Sequence, residues 1–481
     1  MGRQVVVIGA GMGGLSAAIY ARLAGHSVLV LERSTAPGGK AAGIEIQGYQ
    51  LDPGPSIIIL TRLYEAVFRD AGRSMSDYLQ FDRLDVISRV YFGAEPPIDL
   101  PRDEDACFAL LHDMNPADAR RLKQVFGKIE SVESTLDQTI YDHPFERPID
   151  LMHPALLRFG MKFNPLKTYK RMVDEMFTLP LLRAFFYGFP SYGGQSYHAK
   201  APGAFMIPYY MMREGVYFPQ GGVRAIPFAF AKLASELGVE FRYGADVVGV
   251  ESESGRVKSL KLGSGERIES EWVISNLDRS RFSGLMGAPV TEPPSFSYFT
   301  AHWGVGQEIP GLEHHNLFIP TDFESGFREL YDHSRFPTHP IVYLNATHHL
   351  DPAAAPTGCS NLFAVVTAPA AVDGIDWAAD SPGYVDRVRS VLRDAGCEWS
   401  TADIQFERIQ NPLYFAHAHG NYLGSLYGLS EGHRLWGMFP ATNTDPRWPN
   451  VVFCGGSVQP GAGLPMVTLS GKFAARALVP N

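Results

Sequence analysis

Cysteine is scarce in this chain, and the four present, Cys107, Cys359, Cys397 and Cys454, lie far apart with no CxxC pair. Such spacing supports neither a disulfide framework nor a zinc ribbon, and it suits a reducing cytoplasm. Positive charge is not in excess either: 42 Lys and Arg stand against 51 Asp and Glu, a formal charge of -9. Nucleic-acid binding needs a basic surface to neutralise phosphates, so DNA and RNA are not expected partners. No uncharged apolar run reaches the about 18 residues of a spanning helix, which leaves only peripheral membrane contact. The apolar start VVVIGAGMGGLSAAIYARLAG imitates a secretion signal, but its glycines sit at turn positions and no clear cleavage site follows. It reads as structure. No GxSxG elbow supports Ser-His-Asp catalysis. His314-His315 and His417-Ala-His419 have no carboxylate or cysteine partners at zinc-like spacing, so no metal site is expected.

What the chain has in quantity is glycine, 48 residues, and proline, 35, within 481 residues that are 45% hydrophobic. That length is enough for two or more domains, each with its own core. Residues 5–8, VVVI, suit a parallel strand covered on both faces. Gly9-x-Gly11-x-x-Gly14 follows: the first glycine makes a tight turn, the second lets backbone approach a pyrophosphate, and the third allows close helix-strand packing. Gly25 ends the helix, and the strand Ser27–Leu31 delivers Glu32 at the distance that bonds a ribose hydroxyl. Glu32 would repel a 2′-phosphate. These features point to a nucleotide but do not separate NAD from FAD. Gly304-Val-Gly306 lacks the third glycine and the following helix, so there is no second fingerprint and no nicotinamide reductant is expected.

Three further blocks carry the rest. The first is Arg33-Ser-Thr-Ala-Pro-Gly38-Gly39-Lys40 with Asp52-Pro-Gly54-Pro55-Ser56. Residues 213–251 hold Gly221-Gly222, a helical pattern from Ala225 to Leu237, and strand-like text through Val247. The last is CGGSVQPGAGLPMV, Cys454 to Val467. Together they resemble the bacterial phytoene desaturase (carotenoid desaturase) family of the flavin amine oxidase-like superfamily, and Gly424-Ser-Leu-Tyr-Gly428 is family-like too. The resemblance implies FAD, with Arg33, Gly38, Gly39, Lys40, Asp52, Gly54, Pro55 and Ser56 in its site and Val247 meeting the adenine through its backbone. Gly455, Gly456, Gly461 and Gly463 would let the flavin ring lie against backbone. Pro465 fits a first helical turn, and unpaired amides near Met466 and Val467 would face the charge of a reduced flavin. A plain strand-to-helix turn would explain these glycines alone, but not their agreement with the other blocks.

The implied fold is α/β: a doubly wound FAD-binding (glutathione-reductase-like) domain from 1–75, 213–289 and 441–481, with an α+β substrate domain from 76–212 and 290–440. Residues 151–212 are basic and rich in large apolar groups, seven Lys and Arg against two acids, and read as a membrane-facing cap. The protein would then be cytoplasmic and peripherally attached to the cytoplasmic membrane. The implied activity is desaturation of a carotenoid or related hydrophobic polyene by hydride transfer to flavin, with oxygen or a quinone as electron acceptor. The stretch Glu146-Arg-Pro-Ile-Asp150 lies where the family has been assigned a proton acceptor, making Asp150 and Arg147 the catalytic candidates. Many family members carry histidine where this chain has Gln459, whose amide is neither acid nor base near neutral pH. Isomerase, oxygenase, flavin amine oxidase and non-catalytic carotenoid-binding readings share the same cofactor motifs and stay open.

Overall fold

The computed structural model describes residues 2–145, 147–164, 166–372, 374–430 and 440–478. Val5, Val6 and Val7 are completely buried. Val5 and Val7 face a helical layer, while Val6 and Ile8 face a small sheet on the other side. A β-branched run covered on both faces is what a central parallel strand requires. That strand, Gln4–Ile8, lies in the middle of a five-stranded sheet in the order Val451–Phe453, Trp272–Ser275, Gln4–Ile8, Ser27–Glu32, Glu240–Tyr243. All four pairings are parallel. One sheet thus gathers strands from three distant parts of the chain. An antiparallel sheet of Val247–Glu253, Arg256–Leu262 and Arg267–Glu269 covers its second face.

On the helical face, Met12–Leu23 packs against the final helix, Leu464–Arg476. Ser16 Oγ donates to Thr468 O at 2.6 Å, and a Cβ on Gly471 would come 2.4 Å from Gly13 O and 2.6 Å from Ala17 N. The helices cross there because glycine leaves room for the backbone of the other.

A second sheet of seven strands draws on residues 86–101 and 297–410, with Ser297–Val305 between Ile404–Gln410 and Ser360–Ala368, then Val342–Ala346, His315–Ile319, Val86–Phe92 and Ile98–Pro101. Its two faces differ. Phe299, Ala301, Trp303, Leu362, Ala364 and Val366 join the core beneath the helix Trp377–Asp394. Register places Thr300 opposite Val365 and Tyr343 opposite Val365 on the reverse face, with Asn345 opposite Phe363 and His315 opposite Asn345. This reverse face looks toward the first block: Tyr49 OH donates to Val305 O at 3.3 Å, and Asn361 Nδ2 donates to Gln50 O at 2.8 Å. Residues 104–213 add a helical layer with an aromatic core. Asp103, Asn115 and Thr168 cap its helices through their side-chain oxygens.

Two outcomes follow from this packing. Gly471→Ala should lower stability by about 2 kcal/mol through overpacking, whereas Gly284→Ala, whose Cβ would meet nothing within 4 Å, should be neutral or mildly stabilising. Thermal midpoints of the two variants check this. His302 and His314, 0% and 5% exposed, are pulled by burial down to about 3 from an ordinary 6.5. Both are neutral when folded and take up protons on unfolding below pH 6.5. Their contribution is therefore intact above that value and lost on acidification, at about 2 kcal/mol each between pH 6.5 and 5. Urea unfolding at pH 7 and pH 5 should show the loss, and His302→Gln should shrink it; equal losses in variant and parent would exclude this origin.

Candidate functional site

The turn after the first strand is built by Gly9, at φ 96°, whose N–H donates to Leu31 O at 2.7 Å. Helix Met12–Leu23 starts at Gly11 with no side-chain cap and no acidic residue in its first turn. Its first amides are left for an outside acceptor, the arrangement that binds anions. A Cβ on Gly14 would lie 2.0 Å from Gly9 O, so the third glycine secures the contact of helix with turn. Glu32, 7% exposed, accepts from Ala10 N at 2.7 Å and from Ser34 N at 2.8 Å. The carboxylate therefore shapes the loop with one bond per oxygen and keeps lone pairs for a hydroxyl donor.

The second block lies along the first. Gly38 N donates to Ala10 O at 2.9 Å, and a Cβ on Gly39 would be 3.4 Å from Gly11 Cα. Gly54 approaches so closely that its Cβ would meet Lys40 O at 1.9 Å. Arg33 is exposed. Asp52 joins this block to the middle one: it accepts from Val223 N at 2.8 Å and Arg224 N at 3.4 Å, just after Gly222, where a Cβ would strike its carboxylate at 2.8 Å. Burial raises the Asp52 pKa, and these amides and Arg224 oppose the rise. Val247 opens its strand 4% exposed, two residues after Ala245, whose N–H donates to Glu32 O at 2.8 Å.

The last block closes the ring. Gly455, at φ 107°, donates its N–H to Ser470 Oγ at 3.1 Å and lies 3.0 Å from where a Cβ of Gly13 would stand. Gly456 faces Ala462, whose Cβ would be 3.3 Å from its own. Gly461 and Gly463, at φ 134° and 99°, make a turn that side chains would strain. The helix after Gly463 has no side-chain cap and carries Pro465 in its first turn. Val467 departs from expectation: its N–H donates to Gly463 O at 2.9 Å and is spent on the helix. The amides of Leu464 and Met466 have no partner among the described residues and are the donors this end offers.

Sequence reasoning missed three features. Asn276, not among the site candidates, fills the gap between first and last blocks: Cβ atoms on Gly11 and Gly13 would each come 2.7 Å from its amide, and one on Gly455 2.9 Å. Its position directly after the strand Trp272–Ser275, beside the first strand, was the available signal. Lys40 and Asp278 lie near enough to influence one another: burial pulls the lysine down and the carboxyl up, and each charge opposes the other's shift. The Lys40 side chain keeps accessible surface. His419, held down to about 3 by burial and then by Lys40 and Arg33, borders the same region. Gln459 is the third. It is 1% exposed, accepts from Phe145 N at 2.6 Å and donates to Phe145 O at 2.7 Å, clipping the 145 segment to the last block.

That clip carries the catalytic candidates toward the last block. Arg147 and Asp150 sit on a short helical turn, Arg147 N donating to Asp150 Oδ2 at 2.8 Å, with an ion pair at 3.7 Å and side chains 77% and 24% exposed. Glu146 lies outside the described residues. Ser56 reaches the reverse face of the second sheet, its Oγ 2.7 Å from Tyr343 OH. Gly428 rests on the last block, a Cβ there falling 3.2 Å from Ser457 Cβ, and places Tyr427 with its hydroxyl 2.8 Å from that of Tyr298.

The glycine cradle, the two uncapped helix starts and Glu32 fit a dinucleotide. A family model for flavin containing amine oxidoreductases matches residues 12–479. A zeta-carotene-forming phytoene desaturase of Myxococcus xanthus is 30% identical over 99% of this chain and 94% of its own length. A 4,4'-diapolycopene oxygenase of a Methylomonas species is also 30% identical, over 98% of this chain and 97% of its own. Among solved structures, an oxidoreductase from Methanosarcina mazei has a TM-score of 0.66 at 16% identity, covering 97% of this chain and 98% of its own, which shows the shared fold. With a cradle built for a dinucleotide and relatives matched along nearly their whole length, the chain belongs to the flavin containing amine oxidoreductase family.

Proposed function

We propose that this protein binds FAD and desaturates a carotenoid or related long polyene. One observation carries the substrate class. The phenols of Tyr192, Tyr298, Tyr343 and Tyr427, where the second sheet meets the cofactor blocks, are raised by burial first and otherwise perturbed only by hydroxyls and amides. Among the described residues no carboxylate perturbs these phenols, whereas an ammonium group taken out of water there would need one. An uncharged aromatic wall suits a polyene.

FAD, when bound, supplies the hydride acceptor for the bond being oxidised. The chain supplies position and charge. The start of helix Met12–Leu23 is suited to the pyrophosphate and Glu32 to a ribose hydroxyl. The amides of Leu464 and Met466 offer donors to negative charge at the last helix. Asp150 is proposed to accept the proton lost from the neighbouring carbon, with Arg147 beside it at 3.7 Å. Residues 1–75, 213–289 and 441–481 are proposed as the cofactor domain, and 76–212 with 290–440 as the substrate domain. Oxygen or a membrane quinone is proposed to take the electrons.

Peripheral attachment to the cytoplasmic membrane is part of the same reading. No helix among the described residues is long and apolar enough to cross a membrane. Ile149, Met152, Leu157, Met161 and Leu166 are exposed by 42 to 79% on one short segment. The cations expected to support it divide into two groups. Lys167 and Arg171 pair with Glu175 and Lys170 with Asp174, so these three are largely neutralised. Arg158 and Lys162 stand among the apolar groups, Lys162 donating only to Ser131 Oγ. Insertion of apolar side chains with two cations that have no ion pair among the described residues is the stronger arrangement.

Anaerobic mixing with a phytoene-like polyene in liposomes should bleach the oxidised flavin, and the product formed in air should have lost hydrogen. Bleaching by amines alone would overturn the proposal, and a product that had gained oxygen would favour the oxygenase reading that the Methylomonas relative represents. The double variant Met161→Ser with Leu166→Ser should float with anionic liposomes about tenfold less well, and Lys167→Gln should change flotation little. Undiminished flotation of the double variant would remove the membrane assignment.

A further inference from the structure

We infer that Asn276 is a cofactor-holding residue: its side-chain amide donates a hydrogen bond to the pyrophosphate of the dinucleotide where the first and last blocks meet. This rests on the FAD reading above and adds to it a residue that no glycine pattern marks.

The order of strands puts Asn276 in that position. Trp272–Ser275 runs between Gln4–Ile8 and Val451–Phe453, so the residue leaving its carboxyl end falls between the turns that follow the other two. Backbone bonds fix it on both sides. Asn276 N donates to Ile8 O at 2.9 Å, and Cys454 N donates to Ser275 O at 2.9 Å. Crevices at the carboxyl ends of parallel strands are where sheets of this kind bind ligands.

The side chain has donors to spare. An asparagine amide carries one accepting oxygen and two N–H donors. The oxygen is engaged: Cys454 Sγ donates to it at 3.6 Å, and it faces Gly13 and Gly455, whose Cβ atoms would lie 2.7 and 2.9 Å from it. That thiol fixes which way round the amide stands. Nδ2 turns the opposite way, over the first glycine turn, 3.6 Å from where a Cβ of Gly9 would be and 2.7 Å from that of Gly11. It has no hydrogen-bond partner among the described residues and is not sealed off, Asn276 being partly exposed. Its N–H groups therefore open at the glycine where backbone approaches a pyrophosphate, beside the uncapped first amides of Met12–Leu23. Donors from two elements converge on one anion. An aspartate there would accept from the thiol but repel the phosphates; a lysine would donate but leave the thiol without its acceptor.

The test follows FAD on the holoenzyme. The change in flavin fluorescence on dilution gives the FAD dissociation constant, and far-UV circular dichroism in excess FAD shows which variants are folded. Asn276→Ala should hold FAD about 10- to 100-fold more weakly, the range for a hydrogen bond to a charged group. Asn276→Asp keeps the shape and the thiol bond but sets a carboxylate against the phosphates, and it should be weaker than Asn276→Ala by about a further tenfold. The dissociation constant of ADP, which has the pyrophosphate without the flavin, should rise by the same factors when read from its displacement of FAD. A space-filling role alone reverses the order, with Asn276→Asp close to the parent and Asn276→Ala the weaker; that result, or equal FAD binding by all three proteins, would overturn this inference and leave the FAD reading standing. Weaker FAD binding with an unchanged ADP constant would also overturn it, by moving the contact to the flavin end. Where Asn276→Asp does not fold, the ADP constant of Asn276→Ala decides. A parent protein that takes up no FAD would overturn the FAD reading and this inference together.

Discussion

Backbone must touch backbone where the blocks of this protein meet, and that constraint governs the rest of the molecule. Gly13 faces Gly455 N, Gly39 faces Gly11 Cα, Gly54 faces Lys40 O and Gly471 faces Gly13 O, each at a separation that any Cβ would close. Four stretches remote in sequence can share one small volume only because they bring no side chains to it. What the glycines leave open is filled by one amide, that of Asn276, and by whatever the uncapped helix starts receive. A flavin cofactor matches that remaining demand: anionic phosphates for amide donors and a flat ring for bare backbone.

Polar clips then hold the arrangement in register. Asp52 collects the amides that open the middle helix, Glu32 collects those of Ala10 and Ser34, and Gln459 takes both backbone groups of Phe145. Each clip joins elements that no local preference would bring together, and each uses a side chain able to engage two partners at once. Gln459, whose amide is neither acid nor base near neutral pH, is thus committed to holding two segments together.

The parts of this design that obey local rules were readable from the chain alone. The VVVI strand, the glycine turn, the helix and Glu32 follow one another within about thirty residues, and the last block has its own strand, glycines and Pro465. Contacts made across the fold were not readable in that way. Asn276 stands at the end of an ordinary strand, and only the parallel pairing of Trp272–Ser275 with the first strand brings its amide to Gly11 and Gly13. Lys40 and Asp278 are 238 positions apart in number and influence each other's charge only because the fold brings them into one region. The lysines of the cap were legible as charge, but their neutralisation by Asp174 and Glu175 depends on helical spacing and on the return of the chain at Lys167. Val467 was misread by a single position: the first turn of a helix spends its fourth amide on the cap residue's carbonyl, which leaves only the earlier ones free.

The order of strands in the five-stranded sheet bears on how the protein comes into being. Its edge strand, Val451–Phe453, and the helix that crosses Met12–Leu23 leave the ribosome after nearly everything else, although the fingerprint they complete is made first. During synthesis the nascent N-terminal half has a finished glycine turn but no opposite wall, and its apolar helix face stays uncovered until the last segment arrives. A flavin can therefore be enclosed only once the strand Val451–Phe453 and the helix behind it have folded back onto the first glycine turn, which makes cofactor capture a late folding event.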